Sequence, residues 1–175
     1  MPNVLQKPKT ILEVWESLPE GTLCQLINNN IVMSPSPTDV HQLILGDIYF
    51  EMKDVIKKKK LGQLRIAPYD VHFSSRNIYQ PDIVFIANEN LHSIQSKGLV
   101  GVPDIVVEIL SPSTSHFDEG DKRDIYEQYG VKEYFIVDPT NKKVTTLFLT
   151  GNEFEEKGET IANFYSKLLD TVIAF

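Results

Sequence analysis

Val102–Pro139 reads VPDIVVEILSPSTSHFDEGDKRDIYEQYGVKEYFIVDP. Within it DIVVEIL, Asp104–Leu110, is an apolar run of strand length whose interior is broken only by Glu108, the pattern of a strand buried on both faces. Loop chemistry follows in SPSTSHFDEG, then a polar helix from about Asp118 to Tyr129 ended by Gly130, then a second buried strand, YFIVD, closed by Pro139. A strand, a helix and a strand with connections this short form a crossover, which makes YFIVD parallel to DIVVEIL and the connection right-handed. The fold class is therefore α/β (α+β), a mixed sheet flanked by helices. An ionised Glu108 inside such a strand is costly unless a cation meets it, and the candidates are a metal ion or Lys122 of the following helix.

Upstream, QPDIVFI (Gln80–Ile86) predicts another strand with Asp82 near its start. Gln63–Ala67 and Tyr69–Phe73 precede it as further strands, the latter followed by the polar turn SSRN, and all three read as antiparallel neighbours. Asn88–Gly101 is polar and irregular, with a helical turn near Leu91–Ser96. From Val40 to about Lys60, apolar residues at spacings of three and four define an amphipathic helix, and His41 falls inside its apolar arc. His41 is read either as a hydrogen-bonded core histidine or as an accessory to an active site.

Nearer the N-terminus, TLCQLI and IVMS flank Asn28–Asn30 and predict a β-hairpin. TILEVWESL before them is a short helix with a capping box, Thr10 and Glu13. Downstream, VTTLFL, a Gly151-Asn152 turn and Glu153–Lys157 extend the sheet, and LLDTVIAF either adds an edge strand or packs on the core.

With 175 residues and 42% hydrophobic content the chain fits one domain spanning 1–175. No apolar run is long enough to span a bilayer and MPNVLQKPKT lacks a signal-peptide core, so a cytoplasmic protein without membrane partners is expected. Cys24, the single cysteine, excludes an intrachain disulfide and a cysteine-rich zinc site, and reads as a small core residue. A net charge of −7 excludes a surface that is basic overall. Lysines concentrate at Lys57–Lys60 and acids from Glu153 to Glu159, each read first as a solvated face, the lysines with a phosphate-contacting edge as the second reading.

Two carboxylates on neighbouring strands, Asp82 and Glu108, suffice for Mg2+, which wants oxygen ligands and keeps several waters. An ammonium such as that of Lys122 then positions or activates the nucleophile, and the set reads as a metal-dependent phosphodiesterase. Asp104, by contrast, reads as an ordinary strand-start residue, and Ser111 and His116 as loop residues.

The order PD, then a Glu in an apolar strand, resembles the PD-(D/E)xK nuclease superfamily, with the restriction-endonuclease-like core. More closely, QLINNNIVMSPSPTDVHQLI, QPDIVFI and the Val102–Pro139 stretch resemble the Uma-type restriction endonuclease family. The resemblance implies that Asp82 and Glu108 bind the metal with the carbonyl of Ile109 as third ligand, Mg2+ being the ion and Mn2+ a substitute. It implies Lys122 as the catalytic lysine, relocated to the helix because Leu110 stands where the common motif has lysine. Tyr126 shares a helix face with Lys122, as an accessory turned toward the sheet. DNA is the implied substrate and a homodimer the implied assembly. Gln25 stands where the family often has glutamate, which keeps open a catalytically silent protein that binds nucleic acid or another protein.

Overall fold

The computed structural model describes residues 10–19, 21–111 and 120–175. After a short helix α1 (Ile11–Glu16), capped by the reciprocal Thr10 and Glu13 bonds, comes the hairpin β1 (Cys24–Ile27) and β2 (Asn30–Met33). Asn28 and Asn29 take positive φ, 48° and 65°, at its turn, a conformation Asn tolerates better than most residues. Helix α2 spans Asp39–Lys59, with the Thr38 side chain accepting from His41 N. Then follow β3 (Gly62–Ile66), β4 (Val71–Ser74), β5 (Asn77–Tyr79), β6 (Ile83–Ala87), a 3-10 turn (Asn88–Ser93), β7 (Ile94–Gln95), β8 (Gly98–Val100) and β9 (Ile105–Ile109). Helix α3 (Asp121–Tyr129) leads to β10 (Glu133–Asp138), β11 (Lys143–Thr150), β12 (Glu153–Ile161) and the closing hairpin β13 (Asn163–Ser166) and β14 (Thr171–Ala174).

Among the described residues the strands fall into two six-stranded sheets and that hairpin. The first large sheet runs β12-β11-β10-β9-β6-β3, with β9 and β10 parallel and the other pairs antiparallel. The mixed sheet and the α3 crossover are those expected from Val102–Pro139. The second sheet, β2-β1-β5-β4-β8-β7, corrects two expectations: Asn88–Gly101 is not irregular but carries β7 and β8 after its 3-10 turn, and Tyr69–Phe73 does not lie beside Gln63–Ala67 and Gln80–Ile86. Its strand β4 turns back through SSRN onto the three-residue β5, which pairs with β1 of the N-terminal hairpin. Strand β12 also runs on to Ile161, past the expected Lys157. LLDTVIAF supplies β14, with Leu169 and Ile173 packed in the core. The expected helix start at Asp118, and His116, lie outside the described residues.

Alternation along β6 and β9 divides the core. Ile83, Phe85, Ile105 and Val107 join Ile44, Ile48, Met52 and Ile56 of α2 on one face. Val84, Ile86 and Val106 face the second sheet and α3, packing with Ile27, Val71, Tyr79, Ile125 and Tyr126. Because strand side chains repeat every two residues, Glu108 shares the face of Val106 and looks toward α3. Each fully buried aliphatic or aromatic side chain contributes about 1.5–3 kcal/mol, and that packing fixes α3 across the end of β9.

Candidate active site

Strands β6 and β9 are antiparallel with Ile83 opposite Val107, so the entry to β6 meets the exit of β9. Asp82, immediately before β6, accepts from Ile109 N at 2.7 Å through Oδ2. Its own N–H points at Glu108 Oε2, 3.4 Å away. Two carboxylates are thus brought together by strand register alone.

Glu108, 3% exposed, gains its cation from α3: Lys122 Nζ donates to Oε1 at 2.9 Å, and the Tyr126 hydroxyl donates to the same oxygen at 2.7 Å. Residues four apart share a helix face, and both side chains are buried, Lys122 at 3% and Tyr126 at 0% exposure. Tyr126 is fixed by ring contacts with Tyr134 at 5.0 Å, Phe73 at 5.6 Å and Tyr79 at 5.8 Å between centroids. Among these rings, burial pushes the Tyr79 phenol well up from its ordinary pKa.

His41 arrives from the first turn of α2, and its Nε2 lies 3.2 Å from Asp82 Oδ2. Burial pushes the imidazolium pKa down, but the hydrogen bond and charge of Asp82, the charge of Glu108 and the Ile109 carbonyl outweigh it, and the net shift is upward. The negative ends of Asp82, Glu108 and Ile109 therefore converge beside one ring. Nδ1 of His41 is buried without a hydrogen-bond partner.

His41, Asp82, Glu108, Ile109 and Lys122 line a cavity of about 510 Å3 that also takes in Gln25, Pro35, Pro37, Pro68 and Gln80. Ser111 reaches its wall. Gln25 does not present an acid: its Oε1 accepts from Gln80 N at 3.0 Å and its Nε2 donates to Ser34 Oγ at 3.3 Å. Gln80 is a site residue that the sequence reading passed over; its signal was adjacency to Pro81-Asp82.

Other candidates lie elsewhere. Lys57 is about three turns, roughly 18 Å, further along α2 than Leu45 of the cavity wall. Lys58 pairs with Asp54 at 2.6 Å, and Lys59 donates to the carbonyls of Leu169 and Asp170, so much of that run ties down its own helix and the C-terminal hairpin. Asp104 accepts from Ala87 N at 2.7 Å, Asn90 Nδ2 at 3.0 Å and Lys132 Nζ at 2.7 Å, the structural role expected of it. Cys24 is buried, and burial raises its thiol pKa.

A sequence model described as "Uma2: Putative restriction endonuclease" matches residues 12–162, well over half the chain. Among solved structures, a "putative nuclease belonging to DUF820" from Anabaena variabilis ATCC 29413 superposes with a TM-score of 0.75 at 21% sequence identity, covering 93% of this chain and 92% of that one. At that identity the likeness is one of fold. No curated protein matches the chain.

Proposed function

The chain belongs to the Uma2 family of restriction endonuclease-like proteins, and from that premise we propose that it is a cytoplasmic, divalent-metal-dependent endonuclease hydrolysing phosphodiester bonds in DNA. The observation that carries the proposal is the convergence on one cavity of two carboxylates and a lysine from three separate elements: Asp82, Glu108 and Lys122.

The residues fit a hard, well-hydrated cation. Among the described residues no three His, Cys, Asp or Glu side chains form a closed metal cage. Asp82 and Glu108 offer the one or two carboxylates that Mg2+, or Mn2+ as substitute, takes while keeping several waters. Asp82, Glu108 and the Ile109 carbonyl would hold it, and there it would supply polarisation of a phosphoryl oxygen and a more acidic water. Lys122 supplies a buried positive charge beside the entering phosphate, where low dielectric strengthens it. Through Glu108 Oε1, Lys122 and Tyr126 also set the angle of that carboxylate. His41 does the same for Asp82, and Gln25 holds the chain at Gln80.

The test is plasmid nicking with Mg2+ or Mn2+. Wild type nicks, while Asp82→Ala and Lys122→Ala lose nicking and keep their circular dichroism; equal nicking by all three overturns the assignment. Gln25, spent on Gln80 and Ser34 rather than on a metal, favours a second reading, a silent nuclease fold that binds without cleaving. DNA binding with no nicking and no calorimetric Mn2+ binding would select it. A homodimer would let one cut fall on each strand, and sedimentation velocity of the intact chain decides that point.

A further inference from the structure

Helix α2 buries Ile44, Ile48, Met52 and Ile56 against the first sheet, yet its opposite face is not polar throughout. Phe50 and Leu43, 68% and 63% exposed, are the two most exposed large apolar side chains among the described residues. A single exposed apolar residue needs no explanation. Two of them, seven residues apart on one helix face, do. At 100° per residue the outermost line along α2 runs through Asp39, Leu43, Gly46, Phe50, Lys53 and Lys57. All six are exposed, and their spacings alternate four and three, the seam along which two helices pack with a left-handed crossing. Asp47, Glu51 and Asp54 fall to one side of it, in water.

Gly46 is the odd member of that line. Glycine is among the poorest residues inside a helix, and nothing lies within 4 Å of where a Cβ would stand there, so no neighbour in the chain accounts for it. A second copy does, because the seam is complementary to itself when run antiparallel. With Gly46 opposite Phe50 of a second copy, each ring enters the notch that the missing side chain leaves, once on each side of a two-fold axis. The same register sets Asp39 against Lys57 and lays the Lys53 stem over Leu43. Asp39 stands in the first turn of α2 and Lys57 in the last, so opposite charges and opposite macrodipole ends meet at both ends of the pair. A parallel pairing would instead set Asp39 on Asp39, Lys57 on Lys57 and Gly46 on Gly46.

We propose that α2 is the interface of a two-fold dimer of this chain, helix packed antiparallel on helix, with Phe50 of each copy seated on Gly46 of the other. This gives the homodimer a face and needs nothing from the chemistry of the cavity. Thr38, His41 and Leu45 at the start of α2 line that cavity, so the two cavities come to opposite ends of the helix pair. One helix pair buries less than the roughly 1,600 Å2 of a standard interface, and the affinity expected of it is micromolar.

Sedimentation velocity of the intact chain from about 1 to 200 μM should show a monomer–dimer equilibrium. Phe50→Ala should weaken the dimer at least about tenfold, the loss expected of a central buried aromatic. Gly46→Leu separates interface from fold. Leucine is the better helix former and the position is open, so the urea midpoint should hold or rise while the filled notch abolishes the dimer. Lys57→Asp should weaken association several-fold by setting two acids together at each end, and adding Asp39→Lys should recover it, a rescue specific to the antiparallel register. A monomer throughout the range overturns the proposal. So does a dimer indifferent to both Phe50→Ala and Gly46→Leu, which would pair through another face. Plasmid nicking is read in parallel: the expected dimer with no nicking by any of these proteins defeats the cleavage reading alone.

Discussion

The tetrad PDIV occurs twice, at Pro81–Val84 and Pro103–Val106, and the two copies stand at opposite ends of one antiparallel pair. Each aspartate caps the last residue of the other's strand at the same distance: Asp82 Oδ2 accepts from Ile109 N at 2.7 Å, Asp104 Oδ2 from Ala87 N at 2.7 Å. Local sequence and backbone chemistry are alike; the surroundings are not. Around Asp104, Asn90 and Lys132 complete the hydrogen bonding, and the residue before the capped one is Ile86, an apolar core side chain. Around Asp82 the corresponding residue is Glu108, and both carboxylates open on a cavity. An aspartate with a basic neighbour is thus a structural cap at one end and a candidate reaction centre at the other. What separates them is a second carboxylate and space for a phosphate.

The contrast breaks most sharply in catalysis. Asp82→Asn should lower the nicking rate by about 10²- to 10⁴-fold, the usual worth of a reacting or charge-stabilising group, while Asp104→Asn, if folded, keeps the rate within a few-fold. Single-turnover kinetics with saturating Mn2+ checks this, and a comparable loss in both variants would erase the distinction. Stability should invert the order. Asp104→Ala strands the buried Ala87 N–H and costs about 2–3 kcal/mol in urea unfolding. Asp82→Ala borders a cavity where water can substitute, and should shift stability by less than about 1 kcal/mol in EDTA.

A smaller effect concerns metal affinity. Glu108→Gln keeps the shape of the side chain and an acceptor for Tyr126 but removes the charge. Calorimetric Mn2+ affinity should fall by about 10- to 100-fold. Asp104→Asn should leave it unchanged, and an equal fall there would mean that the ion is held by the net field of the sheet rather than by the Asp82 end.

Much of this was readable in advance because it is local. The apolar run with one Glu, the polar helix and YFIVD impose a crossover, and the four-residue spacing of Lys122 and Tyr126 puts both on the face that meets Glu108. The capping of β6 and β9 by each other's aspartate was not readable, since it depends on register between strands separated by the 3-10 turn, β7 and β8. Nor was the departure of Tyr69–Phe73 to a second sheet, which turns on its pairing with Asn77–Tyr79, a strand of three residues without a pattern of its own. Gln80 escaped for a related reason: its partners Gln25 and Asp70 are assembled only once both sheets are in place.

A third buried acid tests whether a cationic partner matters to such caps. Glu133, opposite Ile105 in the β10–β9 register, is 2% exposed and is held by neutral donors, Ser166 Oγ at 2.6 Å and Leu168 N at 2.8 Å. Burial raises its pKa above the ordinary 4.5, and these two bonds with the nearby Lys167 charge offset it only in part. A carboxyl whose folded pKa is raised binds its proton more tightly when folded, so its contribution is fully present below pH 4.5 and is lost as pH rises through the folded value. Wild type should therefore lose stability relative to Glu133→Gln on going from below pH 4.5 to neutrality. The change should be no more than about the worth of one or two hydrogen bonds, roughly 1–2 kcal/mol. Urea unfolding across that range checks it. A constant difference between the two proteins would mean that Glu133 titrates alike folded and unfolded, and that neutral donors stabilise a buried carboxylate here as fully as Lys132 does at Asp104.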